Sequence, residues 1–196
     1  MQRARTLKTT IGMAFSLGDV ITNGYYIEPP YNLRSGTYKQ EAPLSKLADT
    51  VRSQKACVAL LGEPGSGKST LLGKAFLNHA SISLKQNAVD LPFYVSLRER
   101  PNCPFDFSEH IKDSFATLKQ KQNYPLLKPD RIRPSFYIDG LDEMSDQQKG
   151  FDAAAFCKSG MFSAPLMLTC RSRFATRFLN DAAVGSRFSF VVELSP

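Results

Sequence analysis

The sequence predicts an α/β fold: a three-layer sandwich built on a mainly parallel, five-stranded sheet. Three observations carry this. From residue 56 onward, short apolar runs alternate with stretches of helical spacing, a glycine-rich loop joins the first such run to a helix, and another run ends on an aspartate. Alternation of this kind implies parallel strands covered on both faces and joined by right-handed crossovers. In such sheets ligands bind at the carboxyl ends of the strands. The chain has 196 residues, 42% hydrophobic and 22% charged, an ordinary globular composition. That length suffices for one sizeable domain with a proper core.

Residues 1–55 read as a leader or linker to the core. Met13, Phe15, Leu17 and Val20 suggest a short helix or strand, and Pro29, Pro30 and Gly36 punctuate an irregular stretch. Leu44, Leu47, Ala48 and Val51 give a weak helical pattern over 44–53. The core then spans 56–196. Ala56-Cys57-Val58-Ala59-Leu60-Leu61 is a buried strand, and Leu71, Leu72, Ala75 and Phe76 put a helix over about 68–79. Residues 91–97 read as the second strand. Phe107, Ile111, Phe115 and Leu118 then share one helix face. The third strand is 134–139, followed by a helix over 146–158 that holds Phe151, Ala154, Ala155 and Lys158. Residues 166–169 form the fourth strand, Phe174 and Phe178 mark the next helix, and 188–194 form the fifth strand.

The loop between the first strand and its helix is Gly62-Glu63-Pro64-Gly65-Ser66-Gly67-Lys68-Ser69-Thr70, which meets the pattern G-x-x-x-x-G-K-[ST]. Glycines let the backbone curl so that successive N–H groups face an anion. The helix that follows turns its positive end toward the same place. This is a phosphate-binding loop, and it predicts a nucleotide with Mg²⁺ as ligands. Lys68 is positioned to reach the β- and γ-phosphates, and Ser69 to ligate Mg²⁺. A second constellation is Ser135-Phe136-Tyr137-Ile138-Asp139-Gly140-Leu141-Asp142-Glu143. Its apolar strand delivers Asp139 to the place where a carboxylate holds the metal. Asp142 and Glu143 follow at once, and either could orient or deprotonate an attacking water. Three acids so close repel one another, which favours a cation nearby.

These two motifs together resemble the NACHT family of P-loop ATPases, within the STAND class, and so imply an AAA+/STAND-like P-loop NTPase core. Asp139-Gly140-Leu141-Asp142-Glu143 fits the family's D-G-h-D-E mark, and the phosphate loop is close to the family's form. Phe93-Tyr94-Val95-Ser96-Leu97-Arg98 resembles its second strand. Leu168-Thr169-Cys170-Arg171 resembles its sensor strand, which implies that Arg171 feels the γ-phosphate. Glu193-Leu194-Ser195-Pro196 resembles the fifth-strand ending, and Tyr26-Ile27-Glu28-Pro29-Pro30 is similar to the segment that precedes the core of bacterial members. The resemblance implies an ATP-driven signalling switch, with ATP favouring an oligomerising form and hydrolysis resetting it, in antiphage or innate defence. It also implies a small helical part and a winged-helix part beyond the fifth strand, so the chain is expected to be truncated at that point. Tyr26, Ile27 and Pro30 are candidates to line the adenine pocket, with core packing as the competing account.

Two other readings stay open from the residues. One is a small P-loop kinase, with Arg171, Arg173 and Arg177 in a lid, although D-G-h-D-E fits a kinase poorly. The other is a nucleotide-binding oligomerisation module without hydrolysis. A GTPase is disfavoured, since no N-K-x-D guanine reader is present. The net charge of +7 comes from dispersed Lys and Arg with no run of four or more, so nucleic acid is not indicated. Cys57, Cys103, Cys157 and Cys170 show no C-x-x-C spacing, and with His79 and His110 they make no zinc pattern. Reduced thiols in a cytoplasmic protein are expected. No window approaches the roughly 20 apolar residues of a membrane span. The basic, partly apolar N-terminus only imitates a signal peptide, because Asp19 and small polar residues interrupt it.

Overall fold

The computed structural model describes residues 27, 29–35, 45–86, 90–97, 133–147, 152–158 and 164–195. Their elements run β1 (Tyr31–Ser35), α1 (Ser45–Gln54), β2 (Cys57–Gly62), α2 (Lys68–Gln86), β3 (Asp90–Ser96) and β4 (Arg133–Asp139). They continue with α3 (Leu141–Gln147), α4 (Ala153–Lys158), β5 (Leu166–Cys170), α5 (Ser172–Leu179), α6 (Ala182–Gly185) and β6 (Phe190–Leu194). The strands form one sheet in the order β1-β6-β2-β5-β4-β3. Every neighbouring pair is parallel except β1 with β6, which is antiparallel.

The α/β sandwich is therefore as expected, with six strands rather than five. The five parallel strands are the five expected ones. The sixth, β1, falls in the stretch expected to be irregular. Pro29 and Pro30 end just before it, and its pairing with β6 carries a register break between Leu33 and Ser35. Only the free edge of β6 makes so short a segment a strand, because a strand gains its ladder bonds from a partner and not from itself. Two helices also differ from expectation. α2 runs on to Gln86 because its last turns are buried: His79 and Ser83 are enclosed, and Ser83 Oγ donates to the Asp90 carbonyl at 2.7 Å. The helix expected over 146–158 is instead two short ones. α3 starts directly after Gly140, and α4 starts where the Asp152 side chain accepts the N–H groups of Ala154 and Ala155. The helix through Phe107 and Phe115, and Cys103, His110 and Arg98, lie outside the described residues.

The sheet is buried on both faces, and strand alternation sorts its residues between them. Val58 and Leu60 of β2, Tyr137 of β4 and Met167 of β5 pack against Leu71, Leu72 and Ala75 of α2 and Val51 of α1. The other face takes Ala59, Leu61, Ile138 and Leu168, covered by Met144 of α3, Cys157 of α4, Phe174 and Phe178 of α5 and Val184 of α6. All six residues of β2 are buried, as a strand between two parallel neighbours requires. Register then aligns the carboxyl ends. Gly62 lies opposite Leu194 and Leu61 opposite Cys170, while Ile138 pairs with Leu168, so Asp139 comes level with Thr169. No described helix is long and apolar enough to cross a membrane.

Candidate functional site

At the carboxyl end of β2 the backbone turns sharply. Gly65 and Gly67 have φ of +83° and +87°, a region that favours glycine. At Gly62 the constraint is space as well: an added Cβ would sit 2.5 Å from Ser66 Oγ and 3.0 Å from the Leu194 carbonyl oxygen. The Ser66 N–H donates to the Glu63 carbonyl at 3.2 Å, and Leu71 N–H to Gly67 at 2.9 Å as α2 begins. Glu63, Pro64 and Gly65 are exposed at the apex, and Ser66 is buried beneath them. Lys68, Ser69 and Thr70 form the first turn of α2. The Lys68 ammonium folds back over the loop and donates to the Gly62 and Glu63 carbonyls, both at 2.8 Å. Burial presses its pKa below the ordinary value, while Asp142 and Asp139 nearby act in the other direction.

Asp139, at the end of β4, meets this loop across one intervening strand. Its Oδ1 accepts the Ser69 hydroxyl at 2.9 Å and the Thr169 hydroxyl at 2.6 Å, and its Oδ2 accepts the Tyr94 hydroxyl at 3.2 Å. Thr169 in turn accepts the Gly140 N–H at 2.9 Å. One carboxylate is thus addressed from α2, β3 and β5 together.

Asp142 lies three residues on and faces elsewhere. Its Oδ1 accepts the Arg171 backbone N–H at 3.1 Å, and its Oδ2 is 2.9 Å from the Arg171 Nε. The Asp142 side chain is only 8% exposed against 49% for Arg171. Burial pushes the Asp142 carboxyl above its usual range, and the Arg171 N–H and guanidinium pull it back. Glu143 folds over Gly140, whose φ is +78°: a Cβ on that glycine would lie 3.1 Å from Glu143 Cδ. The room beside Gly140 is therefore filled by Glu143. Beyond Arg171, Ser172 Oγ donates to Glu193 Oε1 at 2.6 Å and ties the start of α5 to β6.

The structure thus brings Gly62, Lys68, Ser69 and Asp139 to one edge of the sheet and joins Asp142 to Arg171 beside them. The upstream segment also arrives there. Pro29 Cγ lies 3.9 Å from the position a Cβ on Gly67 would take, and the Pro30 carbonyl accepts the Ser195 N–H at 2.9 Å. Ile27 is 87% exposed. Tyr26 lies outside the described residues. Tyr94 and Thr169 are the polar partners that sequence reasoning did not single out. The visible signal for Thr169 was a hydroxyl in an otherwise apolar strand. For Tyr94 there was none, because its partner sits 45 residues away.

These residues fit a nucleotide triphosphate with magnesium. A Cβ at Gly62 would obstruct the loop, Gly65 and Gly67 hold positive φ within it, a lysine lies at its mouth, and two hard oxygen donors stand within 2.9 Å of each other at its base. Among the described residues, no cluster of three or more His, Cys, Asp or Glu side chains could hold a metal by itself.

A family model described as the NACHT domain matches residues 56–186. Among solved structures, the chain is similar to the Aeropyrum pernix ORC2 protein in ADPNP-ADP complexes, at 12% identity and a TM-score of 0.47, over 77% of this chain and 45% of that one. It is also similar to C. elegans PCH-2, at 17% identity and a TM-score of 0.35, over 78% of this chain and 40% of that one. The chain spans less than half the length of either. A search of curated proteins finds no match.

Proposed function

Because the chain belongs to the NACHT domain family, and so carries a nucleotide-binding P-loop NTPase module, we propose that it is an ATP-dependent switch that binds ATP with Mg²⁺ and hydrolyses it. The observation that supports this most is the hydrogen bond from Ser69 to Asp139, which spans 70 residues of sequence. It joins the first turn of the phosphate-loop helix to the acid at the end of β4, the two halves of a magnesium–phosphate site.

In this reading the loop's backbone N–H groups between Gly62 and Thr70, Pro64 having none, cradle the phosphates, and Lys68 exchanges its loop carbonyls for phosphate oxygens. Ser69 Oγ ligates the metal while still donating its proton to Asp139. Ser69, backed by Asp139, would hold Mg²⁺, which when bound would supply positive charge to offset that of the phosphates. Glu143, which folds over Gly140 beside the metal-facing Asp139, orients and deprotonates the attacking water. Arg171, held against Asp142, is placed to report the γ-phosphate through that ion pair. Ile27 and Pro30 flank the base. The output is a population shift between two forms with different nucleotide affinity, coupled to self-association and serving signalling in defence. Such a switch works in the cytoplasm, and the three buried free thiols Cys57, Cys157 and Cys170 accord with that.

The test is equilibrium binding of labelled ATP and GTP with Mg²⁺, followed by phosphate release. ATP should bind more tightly than GTP, Lys68→Ala should abolish binding, and Glu143→Gln should keep binding while turnover falls by a factor of about 10²–10⁴. Normal turnover by Glu143→Gln would remove Glu143 from this role.

A further inference from the structure

Asp139 is held by more than its partnership with Ser69, and the extra contacts come from side chains outside both motifs. We propose that Tyr94 and Thr169 are positioning residues that lock the Asp139 carboxylate in the orientation in which it supports a magnesium ion on Ser69. This rests on the reading of Asp139 and Ser69 given above and names the residues that make it work.

A carboxylate offers about four acceptor directions. Three are occupied here by hydroxyls from three different elements, two on Oδ1 and one on Oδ2. Both oxygens are pinned, so the carboxylate cannot rotate about its last bond. Ser69 keeps its proton pointed at Oδ1, which leaves the lone pairs of Ser69 Oγ for a metal and raises their basicity.

The two clamps are themselves fixed. Thr169 is 1% exposed, and its hydroxyl donates to Asp139 while accepting the Gly140 N–H. Tyr94 is braced by the Phe76 ring, edge-on at a centroid distance of 5.6 Å, and Phe76 meets Tyr137 at 5.9 Å in the same manner. Phe76 belongs to α2, the helix that also carries Ser69. Any movement of α2 along the sheet therefore shifts the ring against which Tyr94 rests. Asp139 itself is in no position to supply this rigidity, since glycine follows it and Gly140 has φ of +78°.

The experiment compares binding of labelled ATP with Mg²⁺ and with EDTA for the full chain and for Tyr94→Phe, Thr169→Val, Thr169→Ser and Asp139→Asn, with thermal unfolding of each. Outer-sphere partners of metal ligands are worth about 10–100-fold in metal affinity. Tyr94→Phe and Thr169→Val should therefore lose about tenfold of the affinity that Mg²⁺ adds, with affinity in EDTA unchanged, while Thr169→Ser retains it. If both variants keep the full Mg²⁺ increment while Asp139→Asn loses it, the clamp is refuted and the Asp139 assignment survives. An equal loss with Mg²⁺ and in EDTA also refutes the clamp, because it marks a structural role. If Asp139→Asn itself keeps the increment, the underlying reading fails and the clamp with it. Should Thr169→Val not fold, for want of a partner for Gly140, Tyr94→Phe decides the matter alone.

Discussion

Asp139 and Asp142 stand three residues apart in one turn, and the fold treats them in opposite ways. Asp139 is surrounded by neutral hydroxyls and meets no described cation within salt-bridge distance. Asp142 is enclosed and closed by Arg171, through both backbone and guanidinium. A carboxylate held by hydroxyls has no opposite charge in contact with it, whereas one joined to arginine does. The difference teaches that the first acid suits ligand chemistry and the second suits a clasp between the ends of β4 and β5. Sequence alone had grouped Asp142 with Glu143 as candidate bases.

The strongest way to break this contrast is to remove Asp139. Asp139→Ala should reduce the Mg²⁺-dependent part of ATP affinity by about 10–100-fold, with an unfolding midpoint close to that of the parent chain. Binding in Mg²⁺ and in EDTA, beside a urea melt, measures both sides. Asp142→Ala should behave in reverse. It leaves the Arg171 N–H without its acceptor and a half-exposed guanidinium without its partner, so it should cost about 1–3 kcal/mol of stability in the urea melt. Its ATP affinity, measured well below the melt, should stay within a few-fold of the parent. A stable Asp142→Ala that cannot bind ATP would exchange the two roles.

The smallest effect sharpens the picture behind the turn. His79 on α2 lies against Tyr137 on β4, Nδ1 to hydroxyl 3.0 Å, and is 2% exposed. Burial, then Arg52, holds its imidazole below the ordinary pKa, while Asp90 and Asp49 oppose this. The folded chain therefore binds fewer protons here than the unfolded chain, whose histidine titrates near 6.5. Stability from this group is whole above that pH and is lost as pH falls below it, by up to about 1.4 kcal/mol per pH unit. The urea midpoint should fall between pH 7.5 and pH 5.5 in the parent chain and fall less in His79→Phe. Equal slopes would show that His79 takes its proton inside the fold.

How much was legible beforehand differs by element. β2, the phosphate loop and the start of α2 were readable because their signals are local: an unbroken apolar run, glycines at fixed spacing and a helical pattern. The five parallel strands were readable for the same reason. β1 was not, because Tyr31–Ser35 carries no apolar run like those of the parallel strands and becomes a strand by pairing with the edge of β6. The end of α2 was missed because burial of His79 and Ser83 extends it past the apolar pattern. At the site, Lys68, Ser69 and Asp139 could be named from spacing, but not that Thr169 and Tyr94 converge on Asp139. That convergence depends on β5 lying between β2 and β4, and on β3 lying outside β4.

By itself, then, the sequence determined which segments bury, which loop can curl around an anion and which acids end a strand, because backbone conformation and side-chain period are written within a few residues of each position. Strand order and register decided the rest: which carboxylate meets hydroxyls, which meets arginine, and which upstream segment lies over the loop. The physical reason is that hydrogen bonds reach about 3 Å, so chemistry between distant residues exists only where packing has already brought their elements together.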